Sequence, residues 1–279
     1  VDLDFSKNKP FMFSRFLTCT TSSLIDRKKE KRQLFSKKFN RFHTDSIQFS
    51  ENINEEASVK SKTSSIVHSI LHGSAATKEE EKHTHSKSLH CPKIANDPDN
   101  SVHLCGSWQT EIGDLDTFVH IWEYYGYKGY HDTYNRLNND SQYQQFLKEI
   151  RPILLNRYSQ ICLEFAFWKT SPPAVHGGIY ELRTYELKPG NLLEWETHWH
   201  RGLECRRQFC EPVGAWFSQL GLLNRVHHMW QYPDLENRKI TREKAWEVDG
   251  WAETVYKTVR LVQKMETNIL KPLDFSPLR

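Results

Sequence analysis

The sequence predicts an α+β protein built from tandem ferredoxin-like units, the first of them incomplete, behind a disordered amino-terminal region. Three observations predict it. The pattern Gly-x-Trp-x4-Gly-x6-His-x-Trp-x-Tyr is spelled twice at a constant offset of 108 residues. It runs as Gly106, Trp108, Gly113, His120, Trp122, Tyr124 and again as Gly214, Trp216, Gly221, His228, Trp230, Tyr232. Within each copy apolar and polar residues alternate at period two, as half-buried strands require. Around the second copy a strand, a helix and the hairpin follow one another, and a further helix and strand come after.

The amino-terminal part, residues 1–57, reads as a basic presequence and an acidic linker without a fold of its own. Between Met12 and His43 stand nine Lys or Arg against two acids, Asp26 and Glu30, with Ser and Thr interspersed. That composition fits a mitochondrial transit peptide, and Met12 offers a start inside a chain that begins at Val1. The alternative is a basic tail that touches nucleic acid or acidic lipid. Residues 58–100 offer little apolar material beyond Ser65-Ile66-Val67 and Ile70-Leu71, and then the charged run Lys78 to Lys82. Such sequence buries too little surface to offset chain entropy. It reads as a polar linker or a degenerate start, so the first unit, 101–178, lacks a legible first strand and helix.

In that unit the hairpin turns at Gly113 and Asp114, a helical region follows from about Tyr130 to Leu155, and Ile161 to Trp168 forms a buried strand. The second unit, 179–279, opens with the alternating strand Ile179 to Leu187, ended by Lys188-Pro189-Gly190. Asn191 caps a helix with Leu192, Trp195, Trp199, Gly202 and Leu203 at helical spacing. Its hairpin turns at Gly221. A helical pattern from Arg242 to about Met265, broken near Gly250, precedes a short strand around Ile269 to Leu273.

The second half resembles the NipSnap family. The resemblance rests on Ile179-Tyr-Glu-Leu-Arg-Thr-Tyr185 with Leu187-Lys-Pro-Gly190, on Val226-His-His-Met-Trp-Gln-Tyr232, and on Pro272-Leu-x-x-Ser276-Pro-Leu278. It continues more loosely from Gly106 to Trp168. The resemblance implies tandem units of the dimeric α+β barrel type in a mitochondrial protein, in the matrix and at the surface on depolarisation. It also implies work through protein contacts, including autophagy adaptors and mitochondrial proteins as partners, without catalysis.

No apolar run approaches the roughly 20 residues a membrane-spanning helix needs. The net charge of +3 hides only the amino-terminal asymmetry. Six cysteines without close pairing read as reduced thiols, and Cys205 and Cys210 point about 140° apart around a helix. His198 and His200 on a helix, and His227 and His228 on a strand, cannot chelate as pairs, so no metal is assigned. No nucleophile elbow, phosphate loop or His-Glu-x-x-His helix occurs, so neither a catalytic residue nor a cofactor is assigned.

His120 with Trp122 and His228 with Trp230 occupy equivalent places and are the candidate ligand-binding residues, facing a cavity between sheet and helices. Core packing of the same residues is the competing reading. Phe118-Val-His-Ile121 after Asp114 and Asp116 fits an acidic then aromatic-x-x-aliphatic docking pattern, but the same residues form a predicted strand, and the core strand is the preferred reading. The second class of function is a small-ligand-binding or oxygenase-like barrel. An open ferredoxin-like sheet also predicts association, either half with half or chain with chain, as a homo-dimer or with a relative.

Overall fold

The protein is described by a computed structural model for residues 91–279, and for the backbone of 15–24. The eight strands are β1 (Arg15–Leu24), β2 (Val102–Ile112), β3 (Thr117–Tyr125), β4 (Leu154–Glu164), β5 (Ile179–Leu187), β6 (Glu211–Leu220), β7 (Arg225–Tyr232) and β8 (Val262–Pro272). They close into one antiparallel barrel in the order β1-β3-β2-β8-β5-β7-β6-β4. Helices α1 (Gly126–Asn139) and α2 (Ser141–Ile150) cover the first half; α3 (Leu192–Arg206), α4 (Leu235–Ala245) and α5 (Trp251–Val259) cover the second.

Each half contributes four neighbouring strands in the ferredoxin-like order. The halves join at two seams, β2 with β8 and β4 with β6. The sequence left two kinds of association open, and the structure shows the first: the two halves pair with each other inside one chain. Closure pairs strands that would otherwise be open sheet edges.

The repeat is explained by the hairpins. Both second glycines sit in the left-handed region, Gly113 at φ 126° and Gly221 at φ 100°, followed by Asp116 at 61° and Asn224 at 58°. The first glycine of each copy does something else. A Cβ on Gly106 would lie 2.1 Å from the Trp108 ring, and one on Gly214 would lie 2.5 Å from the Trp216 ring. In each Gly-x-Trp the indole therefore folds back over the glycine. Each glycine also marks a register shift in its hairpin, between Leu104 and Gly106 and between Pro212 and Gly214, as a bulge produces. Trp108 and Trp216 then point into the barrel, where they pack with Tyr180, Met229 and Leu270. The barrel centre is filled.

Several boundaries differ from the sequence reading. Residues 15–24 lie within the segment read as a disordered presequence, yet their backbone forms β1, paired with both β3 and β4. This is the first strand that could not be found near residue 100. Its Thr- and Ser-rich composition hid it, although Thr, Phe and Leu suit a pleated strand. Residues 1–14 and 25–90 lie outside the described residues, and so does most of the polar stretch 58–100. The predicted helix from Tyr130 to Leu155 is two helices, because Asp140 caps a new start by accepting a hydrogen bond from Gln142 N. The predicted helix from Arg242 to Met265 also divides. Asp234 caps α4, accepting from Asn237 N, and Gly250 at φ 89° starts α5. Val262 and Met265 belong to β8 instead, whose polar first half concealed it. Asn191 stands at the start of α3 but its side chain makes no capping bond.

Candidate functional site

The outer face of each sheet, beneath its helices, holds the equivalent residues of the repeat. In β3 the side chains of His120, Trp122 and Tyr124 turn to the helices and Phe118 packs with Leu154, Leu273 and Phe275, while Val119 and Ile121 join the barrel core. In β7, His228, Trp230 and Tyr232 turn outward, and His227 turns inward. The two halves then diverge.

Beneath α1 and α2 lies a cavity of about 240 Å³ with more apolar than polar lining. His120 and Trp122 form its floor, with Tyr130, Thr133, Phe146 and Leu147 from the helices above and Arg157 among the residues that line it. His120 shares a hydrogen bond between its Nδ1 and Ser107 Oγ at 2.8 Å. Ser107 is held in turn by a bond from its N–H to Ser276 Oγ at 2.9 Å, so a carboxy-terminal loop fixes the floor. The buried Thr133 Oγ1 has no partner. The cavity can take a small, mostly apolar molecule, with His120, Thr133 and Arg157 among its polar lining.

The corresponding space in the second half is occupied. Trp168, Trp195 and Trp199 surround His228, with ring centroids at 5.8, 6.4 and 4.9 Å from it. Trp230 Nε1 donates to His228 Nδ1 at 2.9 Å. Burial, with the nearby Arg183 and Arg206 guanidiniums, pushes the His228 imidazole well below its usual pKa. The ring is therefore neutral, and its proton sits on Nε2. The structure thus brings His120 and Trp122 to a cavity and His228 and Trp230 into a packed aromatic core. Sequence equivalence could not separate these outcomes, because they depend on α3, which supplies Trp195 and Trp199. Among the described residues the first half shows its counterpart to α3 as the helical stretch 91–96, which brings Cys91 and Ile94 to the cavity and carries no tryptophan.

Beside Trp230 sits a buried charge cluster built on Glu181 and Arg183 of β5. Glu181 Oε1 accepts from Arg183 Nη1 at 2.8 Å and Arg238 Nη2 at 2.7 Å, and Oε2 from Arg206 Nη2 at 3.3 Å. Burial alone would raise the Glu181 carboxyl, but the Arg238 hydrogen bond and the three guanidiniums hold it well below the usual range. Arg206 also donates to Tyr232 Oη and lies over the Trp230 ring, 4.5 Å from its centroid. Arg206 and Arg238 were missed because they arrive on α3 and α4, far apart in sequence.

At one mouth of the barrel a second, polar space of about 560 Å³ is lined by Tyr158, Gln160, Thr184, His227 and Glu266 among others. Gln160 Nε2 donates to His227 Nε2 at 2.5 Å, and His227 Nδ1 donates to Thr184 Oγ1 at 2.8 Å. Burial first, and then Arg225, lower the His227 pKa to about 4. The docking pattern Phe118-Val-His-Ile121 lies inside β3, with Phe118 and Ile121 both buried, and is a core strand. Cys205 and Cys210 are free thiols. No helix among the described residues is long and apolar enough to cross a membrane.

A single-chain barrel of two ferredoxin-like halves, with a ligand-sized space between sheet and helices, defines the dimeric α+β barrel class. Solved structures agree. A candidate monooxygenase from Fusobacterium nucleatum matches at TM-score 0.56 over 94% of this chain and 93% of that one, at 11% identity. An anthrone oxidase-like protein matches at TM-score 0.53 over 93% and 91%, at 9% identity. At such identities the likeness is one of fold. Within the class, the NIPSNAP family profile matches residues 94–169 and 180–277, and the chain belongs to that family. It is 42% identical over 188 residues to NipSnap homolog 1 of Danio rerio, covering 67% of each chain. It is 42% identical over 189 residues to NipSnap homolog 2 of Homo sapiens, covering 67% of this chain and 66% of that one.

Proposed function

We propose that this NipSnap-family chain is a binding protein that holds a small, mostly apolar molecule in the cavity of its first half. The observation that carries this is the cavity of about 240 Å³ with His120 and Trp122 in its floor. Mostly apolar walls with a few placed polar groups are what a small-molecule site needs: the walls supply affinity, and polar groups such as the unpartnered Thr133 hydroxyl supply orientation. The test is fluorescence titration of the full chain with 2-naphthol, whose two fused rings and single hydroxyl match that lining. Saturable one-to-one binding, weakened at least about tenfold by Leu147→Trp, is the expected result. Absence of saturable binding, or binding indifferent to Leu147→Trp, would overturn the reading.

A second reading, contact with other proteins, is supported by apolar surface over the second half. Trp246, Tyr256 and Val259 on and beside α5 are 57%, 74% and 48% exposed. In this reading the chain works in mitochondria, and its partners there include mitochondrial proteins and autophagy adaptors. The basic run between Met12 and His43 supports import, and eight of its nine cations lie between Arg27 and Arg41, after β1. Replacing those eight by Gln leaves the barrel strand intact. Proximity labelling in cells should then shift from mitochondrial to cytosolic proteins, and unchanged labelling would refute import by this segment.

A further inference from the structure

The inward positions of the barrel change character toward one mouth, and they do so on six strands. Trp108, Val119, Cys162, Leu182, Met229 and Leu270 belong to the apolar core. The next inward residue on each strand, two positions along, is Thr110, Thr117, Gln160, Thr184, His227 or Asn268. All six line the space of about 560 Å³ at the mouth. An apolar layer there would close the barrel at lower cost, since a polar side chain taken out of water must find partners. Thr110, Thr117, Gln160 and His227 are nonetheless buried.

Their bonding leaves capacity over. Gln160 Nε2 donates to His227 Nε2 and His227 Nδ1 to Thr184 Oγ1, which leaves the Thr184 proton and the second Gln160 N–H for another acceptor. The buried Thr117 Oγ1 has no partner. The space belongs to both halves of the barrel. Thr117 and Arg225, Val119 and His227, Tyr158 and Glu266, and Gln160 and Asn268 are pairs at the repeat's offset of 108 residues, and both members of each pair line it. Charge does not dominate the lining. Arg225 is paired with Glu186 at 3.4 Å, Glu266 with Lys264 at 2.5 Å, and Asp114 is exposed at its hairpin turn. His227, its pKa lowered to about 4, is uncharged near neutrality. What remains is hydroxyl, amide and imidazole, beside the apolar side chains of Val119 and Leu182.

We propose that this mouth is a second binding site, for a small uncharged molecule rich in hydroxyl groups, a cyclic polyol or monosaccharide. Each hydroxyl of such a molecule both donates and accepts, which answers a lining of mixed donors and acceptors. The C–H face of its ring can lie on Val119 and Leu182. A space of about 560 Å³ falls within the roughly 300 to 1,000 Å³ of small-molecule sites. The site is separate from the cavity beneath α1 and α2 and does not depend on its occupant.

The experiment is calorimetric titration of the full chain with myo-inositol and with D-ribose in separate arms, against cyclohexanol, which has a ring and one hydroxyl. The proposal expects saturable one-to-one binding in at least one polyol arm and none with cyclohexanol. Gln160→Met, which keeps the length of the side chain and removes its amide, should weaken the Kd about tenfold or more. If that variant does not fold, Thr117→Val, which removes only a hydroxyl without a protein partner, should weaken it about threefold or more. Leu147→Trp, which fills the first cavity, should leave the Kd unchanged. No saturable heat in either polyol arm, equal binding of cyclohexanol, or binding indifferent to both mouth variants would overturn the proposal. Binding lost in Leu147→Trp would place the polyol in the first cavity and overturn it as well.

Discussion

The two halves of the barrel descend from one pattern and have parted at one layer. Both keep the hairpin, the glycine that seats a tryptophan ring, and a histidine on the outer face of the sheet. In the first half that histidine lines a cavity; in the second it is enclosed by three tryptophans and a charge cluster. The sheet therefore fixes where a site can be, and the helices laid over it decide whether the site is open or closed. Duplication left one frame with two interiors.

The strongest way to break this comparison is to remove equivalent bulk from each half. Trp199→Ala should cost about 4 kcal/mol, because a fully enclosed indole is lost into a packed surround. Trp122→Ala, which only enlarges an existing space, should cost about 1 kcal/mol. Urea unfolding of the two variants checks this, and equal losses would mean that both interiors are packed alike. Next comes Glu181→Gln. It leaves three guanidiniums without their carboxylate and should cost about 3 to 4 kcal/mol, whereas Arg157→Ala at the first cavity should change stability by less than about 0.5 kcal/mol.

The seam between the halves gives a pH signature. His227, from the second half, accepts from Gln160, from the first, and its pKa is lowered to about 4 from 6.5. A base whose folded pKa lies below its unfolded one is stabilising above the unfolded value and loses that contribution as pH falls, because the unfolded chain binds the proton first. Stability should therefore fall between pH 6.5 and 4, by about 3 kcal/mol at most for this group. His227→Gln should flatten that slope in unfolding curves measured across the range. The smallest effect belongs to the first cavity. Thr133→Val replaces an unpartnered buried hydroxyl by a methyl group of the same shape and should stabilise by about 1 kcal/mol. A loss instead would place a water or ligand against Oγ1.

The tandem units and both hairpins were legible because period-two alternation and the positions of Gly113 and Gly221 are local signals. The first glycines of the repeat were visible as a pattern, but their use as seats for Trp108 and Trp216 was not, since it requires the fold of the strand. Strand β1 was hidden by composition: residues 15–24 look like a leader when judged by neighbouring charge. The first part of β8 was hidden because it faces a polar barrel mouth and shows no apolar alternation. Of the candidate residues, His120, Trp122, His228 and Trp230 were found by repetition. Trp195 and Trp199 were seen as a helix face, but their meeting with Trp168 around His228 is long-range. Arg206 and Arg238 could have been suspected only from the need to balance a buried Glu181.

The most direct measurement of the difference between the halves is a crystal of the full chain pressurised with xenon, which enters dry apolar space and little else. The account predicts xenon beneath α1 and α2, against Phe146, Leu147 and Trp122, and none among Trp168, Trp195 and Trp199. Xenon in the second interior, or an empty first cavity, would contradict it.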